Sequence, residues 1–499
     1  MLPKTFDICF YFRYILTRVF GALGTPVAFE MRKDLQKGGH LAMISAKNFG
    51  RTLLSSLMSA FLTVLSVLTV GTKPHELPVT PEDFEPVLRF AVCSDVHFEN
   101  DNELEAKGEE AGEEYEEYLK KVDVPGQRLA AAIQTAYSYA ESYDGYKGLD
   151  AFAVAGDFTD KGAPEQYEAF NKTCKENLRA GTQRIVCSGN HEYYMYRSKD
   201  RAEGARVFEK YIGSLNNHYV INGYHFISVS YDDKVETYLK SGVWLKKELD
   251  KAVADTGDKP IFVFQHPAPF FTVYGSVKWG DPTISAILSS YPQVVDFSGH
   301  SHYPINDPRS IWQGTFTALG CGTLAYFETE LDTIAGNFPG DVEQAAQFYF
   351  VEADKDGNLR IKAYDLLTNQ FLVEYYLTGL AEKNYPYSYQ NLSRLDSAPV
   401  FKAREGMSAS LNENGETVLS FDGAKDRFVA ESYKLTVSQG LKKVFEDNFS
   451  GKYMYLFEDD RYEINLGKLE SGKKYTVTLY ALNAFAKPSR LQRYSFTAE

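Results

Sequence analysis

With 499 residues, 44% of them hydrophobic and 24% charged, the chain is long enough for two domains. Its formal net charge of −14 argues against a long polyanion such as duplex DNA as ligand, because phosphate binding relies on neutralisation by lysine and arginine. Five cysteines in a chain of this size make a disulfide framework implausible; Cys93, Cys174, Cys187 and Cys321 fall in strand, helix or Gly-rich patterns and read as free and buried.

The first strong element is the apolar run Leu53 to Val70 (LLSSLMSAFLTVLSVLTV), 18 uncharged residues behind Lys47 and Arg51. A positive flank followed by an apolar core reads as a secretory signal or an N-terminal anchor, and Thr69 and Gly71 supply small residues for cleavage after Gly71. Residues 1–42 fit poorly in front of such a signal, whereas one beginning at Met43 has ordinary proportions. Lys37-Gly38-Gly39 can also be encoded by AAGGGAGGA, a bacterial ribosome-binding sequence. Residues 1–85 are therefore expected to comprise a mis-assigned start, the signal or anchor, and a linker. The mature protein is expected to be secreted or held at the bacterial cell surface, touching membrane only through an uncleaved anchor. The first 71 residues hold 8 Lys/Arg and 3 Asp/Glu, so the remainder is still more acidic, at −19.

Five short motifs follow, each behind a β-rich apolar run. LRFAVCS leads to Asp95-Val96-His97, LDAFAVA to Gly156-Asp157-Phe158-Thr159-Asp160, and QRIVCS to Gly189-Asn190-His191-Glu192. PIFVFQ leads to His266, and QVVDFS to Gly299-His300-Ser301-His302. Each motif supplies oxygen or imidazole ligands, which suit Zn, Mn or Fe. Strand-then-ligand units separated by helical patterns imply an α/β fold with ligands at the carboxyl ends of strands. In Asp95-x-His97 and His300-x-His302, residues two apart on a strand end point the same way. Gly156 lets the backbone pass close to the site, and Asp157 can bridge two cations. Taken singly, each motif has an ordinary explanation, such as an Asx turn or a satisfied buried histidine. Their joint occurrence in one order is what points to a metal centre.

In that order and composition the motifs resemble the calcineurin-like metallophosphoesterase family over roughly residues 86–330. The resemblance implies a two-sheet α-β-β-α sandwich holding two divalent metal ions, Mn, Fe or Zn. It assigns Asp95, His97, Asp157 and His302 to one metal, and Asp157, Asn190, His266 and His300 to the other, with Asp157 bridging. It places His191 over the substrate as acid or charge stabiliser, makes Asp160 an orienting residue, and gives Glu192 a weaker orienting role toward His191. It further implies attack of a metal-bridging hydroxide on phosphorus, with metals roughly 3.5–4 Å apart. Purple acid phosphatases of the wider superfamily carry Gly and Tyr where this chain has His97 and Asp160, which argues against a ferric charge-transfer centre.

Around these motifs, Tyr193-Tyr194-Met195-Tyr196-Arg197 and Pro267-Ala268-Pro269-Phe270-Phe271 are candidates for an aromatic pocket wall, in a chain rich in Tyr (35) and Phe (34). Arg197 and Arg309 are candidate phosphate clamps. Glu99 to Tyr118, with ten Asp/Glu and one Lys, reads as a solvated insertion or helix near the mouth.

Strand patterns continue through FTALGCGTLAYF and QFYFVEADKDGNLRIKAYDLL, the latter a hairpin turning at Asp356-Gly357 and expected to complete the second sheet. Residues 86–380 are thus assigned to the catalytic domain, and the polar stretch 381–398 to a linker. From residue 399 to 499 only strand patterns remain, an all-β sandwich of about 100 residues. Leu469-x5-Tyr475-x-Val477-x-Leu479-x-Ala481 resembles a fibronectin type III domain, in which Tyr475 would be the tyrosine-corner residue. The expected activity is hydrolysis of small phosphomonoesters or phosphodiesters by an exported enzyme. The alternative is a catalytically weak surface protein that uses both modules to contact a cell-surface partner.

Overall fold

The computed structural model describes residues 74–197, 200–232, 237–329, 345–382, 385–402, 406–456 and 460–499. The apolar run 53–70 and the start at Met43 lie outside them; among the described residues no helix is long and apolar enough to cross a membrane.

Two six-stranded sheets build the first domain. Strands β1 (Pro86–Cys93), β2 (Ala151–Ala155) and β3 (Gln183–Cys187) run parallel, and β10 (Gln347–Asp354), β11 (Leu359–Asp365) and β12 (Gln370–Leu377) extend them antiparallel in the order β12-β11-β10-β1-β2-β3. The other sheet has the order β4-β5-β6-β7-β9-β8. It uses β4 (Asn217–Ile221), β5 (Tyr224–Ser228), β6 (Ile261–Pro267), β7 (Val294–Gly299), β8 (Ile311–Gln313) and β9 (Thr317–Gly320). The hairpin at Gly357 thus joins the first sheet beside β1, and only the FTALG strand joins the second. Phe348 and Phe350 pack outward with the helix Val124–Glu141, while Tyr349 and Val351 face the other sheet, a pairing no local pattern specifies.

Parallel strands covered on both faces need continuous apolar runs rather than alternation, and FAVC, AFAVA and IFVF supply them. Between the sheets Phe90 sits at the centre of an aromatic cluster, 4.8 Å from Phe262 and 5.1 Å from Phe226. Helices Val124–Glu141 and Pro164–Asn177 cover the first sheet, and Leu239–Thr256 the second, completing four layers. The acidic stretch folds into two short helices, Asn102–Lys107 and Glu113–Lys121, with most carboxylates in solvent.

The C-terminal module is a sandwich of a three-stranded sheet (β13 Ser408–Leu411, β14 Thr417–Asp422, β17 Arg461–Asn465) and a four-stranded one. The latter has β16 (Lys442–Ser450), β15 (Ala430–Gln439), β18 (Lys474–Asn483) and β19 (Gln492–Thr497). The Tyr475 hydroxyl accepts the Glu470 N–H at 3.0 Å, the bond a tyrosine corner makes. Residues 385–398 are not a loose linker. They contain the helix Tyr389–Leu395, Tyr387 and Asn391 are buried, and Asn391 exchanges two hydrogen bonds with the His75 backbone. Polarity misleads here because the polar groups of Tyr387 and Asn391 are spent on backbone partners rather than water. Val429, Ala484 and Phe485 join the core between the two main sheets, so the module is docked rather than tethered.

Candidate metal centre

Parallel register brings the ends of β1, β2, β3, β6 and β7 to one rim, and each end delivers its motif. Past Cys93 the chain leaves pleated geometry: Asp95 (φ 53°) and His97 (φ 54°) are left-handed, as are Asp157 (φ 47°), His300 (φ 71°) and His302 (φ 54°). The i, i+2 convergence therefore comes from left-handed residues and not from pleat alternation. Such residues cost about 1–2 kcal/mol each without glycine, so five at one site mark strain held by the surrounding fold. The glycines are required by contact. A Cβ on Gly156 (φ 86°) would lie 2.5 Å from the His266 ring, one on Gly189 would collide with the Asp157 carboxylate, and one on Gly299 with Ser94 and Asp95.

The ligand atoms converge. His302 Nε2 lies 3.1 Å from Asp95 Oδ1 and 3.2 Å from His97 Nε2; His266 Nε2 lies 2.8 Å from Asp157 Oδ2 and 3.9 Å from Asp95 Oδ1. Within 4.8 Å they form the groups Asp95/His97/His302, His97/Asp157/His191 and Asp157/His266/His300, with Asp157 common to two. His191 therefore stands within ligand distance as well, its Nε2 3.9 Å from Asp157 Oδ2.

Electrostatics follow from burial. It pushes the Asp95 and Asp157 carboxyls up, but neighbouring imidazoles, chiefly His302 and His266 for Asp95 and His266 and His191 for Asp157, hold both below the usual range. Burial presses His97 well below its ordinary value and His300 to about 3, with His191 and His266 respectively adding to the effect. His266 rises to about 9 and His302 also rises, because the Asp157 and Asp95 charges outweigh their burial.

Two observations test whether cations fit. Asn190 Oδ1 is buried among the ligands without a hydrogen-bond partner among the described residues. Two buried carboxylates face imidazoles there, with no described lysine or arginine paired to them. The histidines are also fixed from behind: His266 Nδ1 by the Ala155 carbonyl (2.8 Å) and His302 Nδ1 by that of Tyr326 (2.8 Å). That leaves each Nε2 lone pair aimed inward, as metal-binding histidines require. The donor set fits a pair of divalent cations.

Asp160 acts through its backbone carbonyl, which takes His191 Nδ1 at 2.7 Å, while its carboxylate stands 3.9 Å from His97 Nδ1. Glu192 does not reach His191. Fully buried, its carboxylate accepts from Asp157 N (3.1 Å), Gly189 N (2.6 Å), Thr159 N (2.9 Å) and Thr159 Oγ1 (2.9 Å), clasping the two loops that carry Asp157 and Asn190.

The expected aromatic wall is half present. Tyr194 packs on His191 at 3.9 Å and carries the Arg197 guanidinium over its ring at 3.7 Å, but Tyr193 is buried in the core. Arg309 is no phosphate clamp. Its guanidinium is held by Asp307 (2.6 and 2.8 Å) and by Glu431 of the C-terminal module (2.5 Å), above the Tyr274 ring. Tyr326, 4.2 Å from His302, and Lys278, Trp279 and Glu328 complete the mouth. Tyr326 lies in the strand-like run FTALGCGTLAYF, yet nothing local distinguishes it.

Residues 88–304 match the family model of calcineurin-like phosphoesterase. The chain carries a calcineurin-like phosphoesterase domain. Solved structures similar to the chain include the purple acid phosphatase PPD1 from yellow lupin (Lupinus luteus) seeds, at 14% identity over 61% of this chain and 55% of that one, TM-score 0.40. Another is a 5'-nucleotidase precursor from Thermus thermophilus, at 13% identity over 62% of this chain and 57% of that one, TM-score 0.31. The FN1–FN3 domains of chicken CNTN1 match 31% of this chain and 43% of that one at 13% identity, TM-score 0.15. The chain thus spans 55% of the length of the lupin enzyme. No curated protein matches the sequence.

Proposed function

We propose that the protein is an exported phosphoesterase that uses two divalent cations to hydrolyse small phosphoesters. The convergence of two carboxylates, four imidazoles and the unpartnered Asn190 oxygen on one strained rim carries this reading. In it, Asp95, His97, Asp157 and His302 hold one cation, and Asp157, Asn190, His266 and His300 the other. Cations bound there supply Lewis acidity toward phosphoryl oxygens and acidify water.

The protein's own contributions follow from geometry. The His191 Nδ1–H donates a hydrogen bond to the Asp160 carbonyl, so Nε2 faces the centre and, when protonated, donates to a phosphoryl or leaving-group oxygen. Tyr194 fixes the plane of that ring. The export half of the proposal rests on the run Leu53 to Val70 and the positive residues before it. Small substrates suit a chain of net negative charge, since cations held in the site would supply the local positive charge.

The test is hydrolysis of p-nitrophenyl phosphate and bis-p-nitrophenyl phosphate after chelation and re-addition of Mn, Zn or Fe. Metal-restored turnover is expected; no turnover with any metal, despite two bound ions, counts against the activity. N-terminal sequencing of the natural protein checks export: an intact sequence beginning before Met43 would overturn the start and the signal.

A further inference from the structure

Lys278 belongs to the short helix Ser276–Trp279 at the mouth of the site. Its Nζ is buried and, among the described residues, has no hydrogen-bond partner. The residue as a whole is half-buried, but its ammonium end is withdrawn from water without an acceptor, which costs free energy until an anion meets it. The side chain lies along Trp279, with Nζ 4.9 Å from the indole. Trp279 in turn stands 6.2 Å from the His300 ring and 6.0 Å from Tyr303. The Gly275 backbone, which begins this helix, approaches Ser301 and Tyr303 so closely that a Cβ there would lie 2.6 Å from the Tyr303 ring. The helix is thus seated on the His300–His302 loop. Glu328, whose backbone N–H donates to the His302 carbonyl at 3.1 Å, interacts electrostatically with both His302 and Lys278, yet among the described residues it forms no ion pair with Lys278.

An unpaired cation beside a metal centre is an anion receptor without its anion. A phosphomonoester near pH 7 carries about −1.5 to −2 charge, whereas a diester carries one negative charge and a second organic group. Cations held in the site and His191 would serve both kinds of ester, which leaves the extra charge of the monoester for Lys278. We propose that Lys278 is a specificity-determining residue that binds the additional negative charge of a phosphomonoester and so directs the site toward monoesters over diesters. This rests on the phosphoesterase reading above.

The test uses the full chain loaded with the metal that supports turnover, as wild type and as Lys278→Met, which keeps the stem along Trp279 and removes the charge. Lys278→Gln is the second neutral variant should Met disturb folding, and Lys278→Arg restores the charge. For p-nitrophenyl phosphate, kcat/KM is expected to fall about 10- to 100-fold, as for a lost charge-assisted hydrogen bond, with partial recovery in the Arg variant. For bis-p-nitrophenyl phosphate the fall is expected to stay under about threefold, since the ammonium has no second charge to meet. Inorganic phosphate, titrated calorimetrically, is expected to bind at least about tenfold more weakly to the Met variant. An unchanged ratio of the two esters, or unchanged phosphate affinity, overturns the role of Lys278. Should no metal restore turnover in the wild type, the phosphoesterase reading fails by itself, and the phosphate titration of chains given Mn still decides whether Lys278 binds the anion.

Discussion

Replacing Glu192 with Gln tests the clasp between the loops carrying Asp157 and Asn190. One end of the amide still accepts from Thr159 N and Oγ1, but the other presents an NH2 to the N–H groups of Asp157 and Gly189, which now donate at 3.1 and 2.6 Å to Oε2. Two buried donors lose their acceptor, and at about 1–3 kcal/mol each the loss of stability is about 2–6 kcal/mol. Burial and the Asp157 charge raise the Glu192 carboxyl to about 7. Part of the population near neutral pH is therefore already uncharged, which favours the lower half of that range. Both donors flank metal-binding positions, so metal affinity is expected to fall about 10- to 100-fold, as for other lost outer partners. Urea unfolding of the metal-stripped chain gives the first quantity, and competition with a chelator the second. A change below about 1 kcal/mol with unaltered metal retention would refute the view that Glu192 holds the two loops in register.

Four further outcomes are expected. Gly189→Ala places a methyl group against the Asp157 carboxylate, so the chain should lose metal and activity together, checked by metal content and turnover. His191→Ala should keep about two metals per chain while lowering turnover about 10²-fold or more, measured on both nitrophenyl esters. Arg309→Met leaves the buried Asp307 carboxylate facing Glu431 without its cation, and should destabilise the junction of the modules by about 3–5 kcal/mol, read as loss of coincident unfolding transitions. Burial and Asp426 raise the Asp396 carboxyl to about 7 from an ordinary 3.8, so the folded state binds the extra proton between these values. Stability should accordingly be greatest below about pH 4 for this group and decline as pH rises through 7, and Asp396→Asn should flatten that slope in thermal unfolding.

Much of the candidate metal centre was legible because its determinants are local. An apolar run of the right length, a glycine where another chain passes, and an Asp, Asn or His directly after it can be read in a few adjacent residues. The apolar runs also set the parallel, doubly covered strands, and Tyr475 with its neighbours set the corner of the C-terminal sandwich. Composition and charge bounded the ligands in the same way.

What the sequence left open depends on contacts between residues far apart in the chain. Which sheet received the hairpin was decided by the pairing of β10 with β1, more than 250 positions away. Glu192 looks like a neighbour of His191, yet its carboxylate turns to backbone donors of a different loop. Arg309 follows the last motif and reads as a phosphate clamp until Glu431 arrives from the other module. Lys278, in an unremarkable stretch, acquires meaning only because folding withdraws its ammonium ion from water, without an acceptor, on the helix whose Trp279 stands against His300. Residue types and spacing fix which ligands a strand end can offer. Which polar groups are stripped of water, and which partner each then meets, is set only when distant segments close over them.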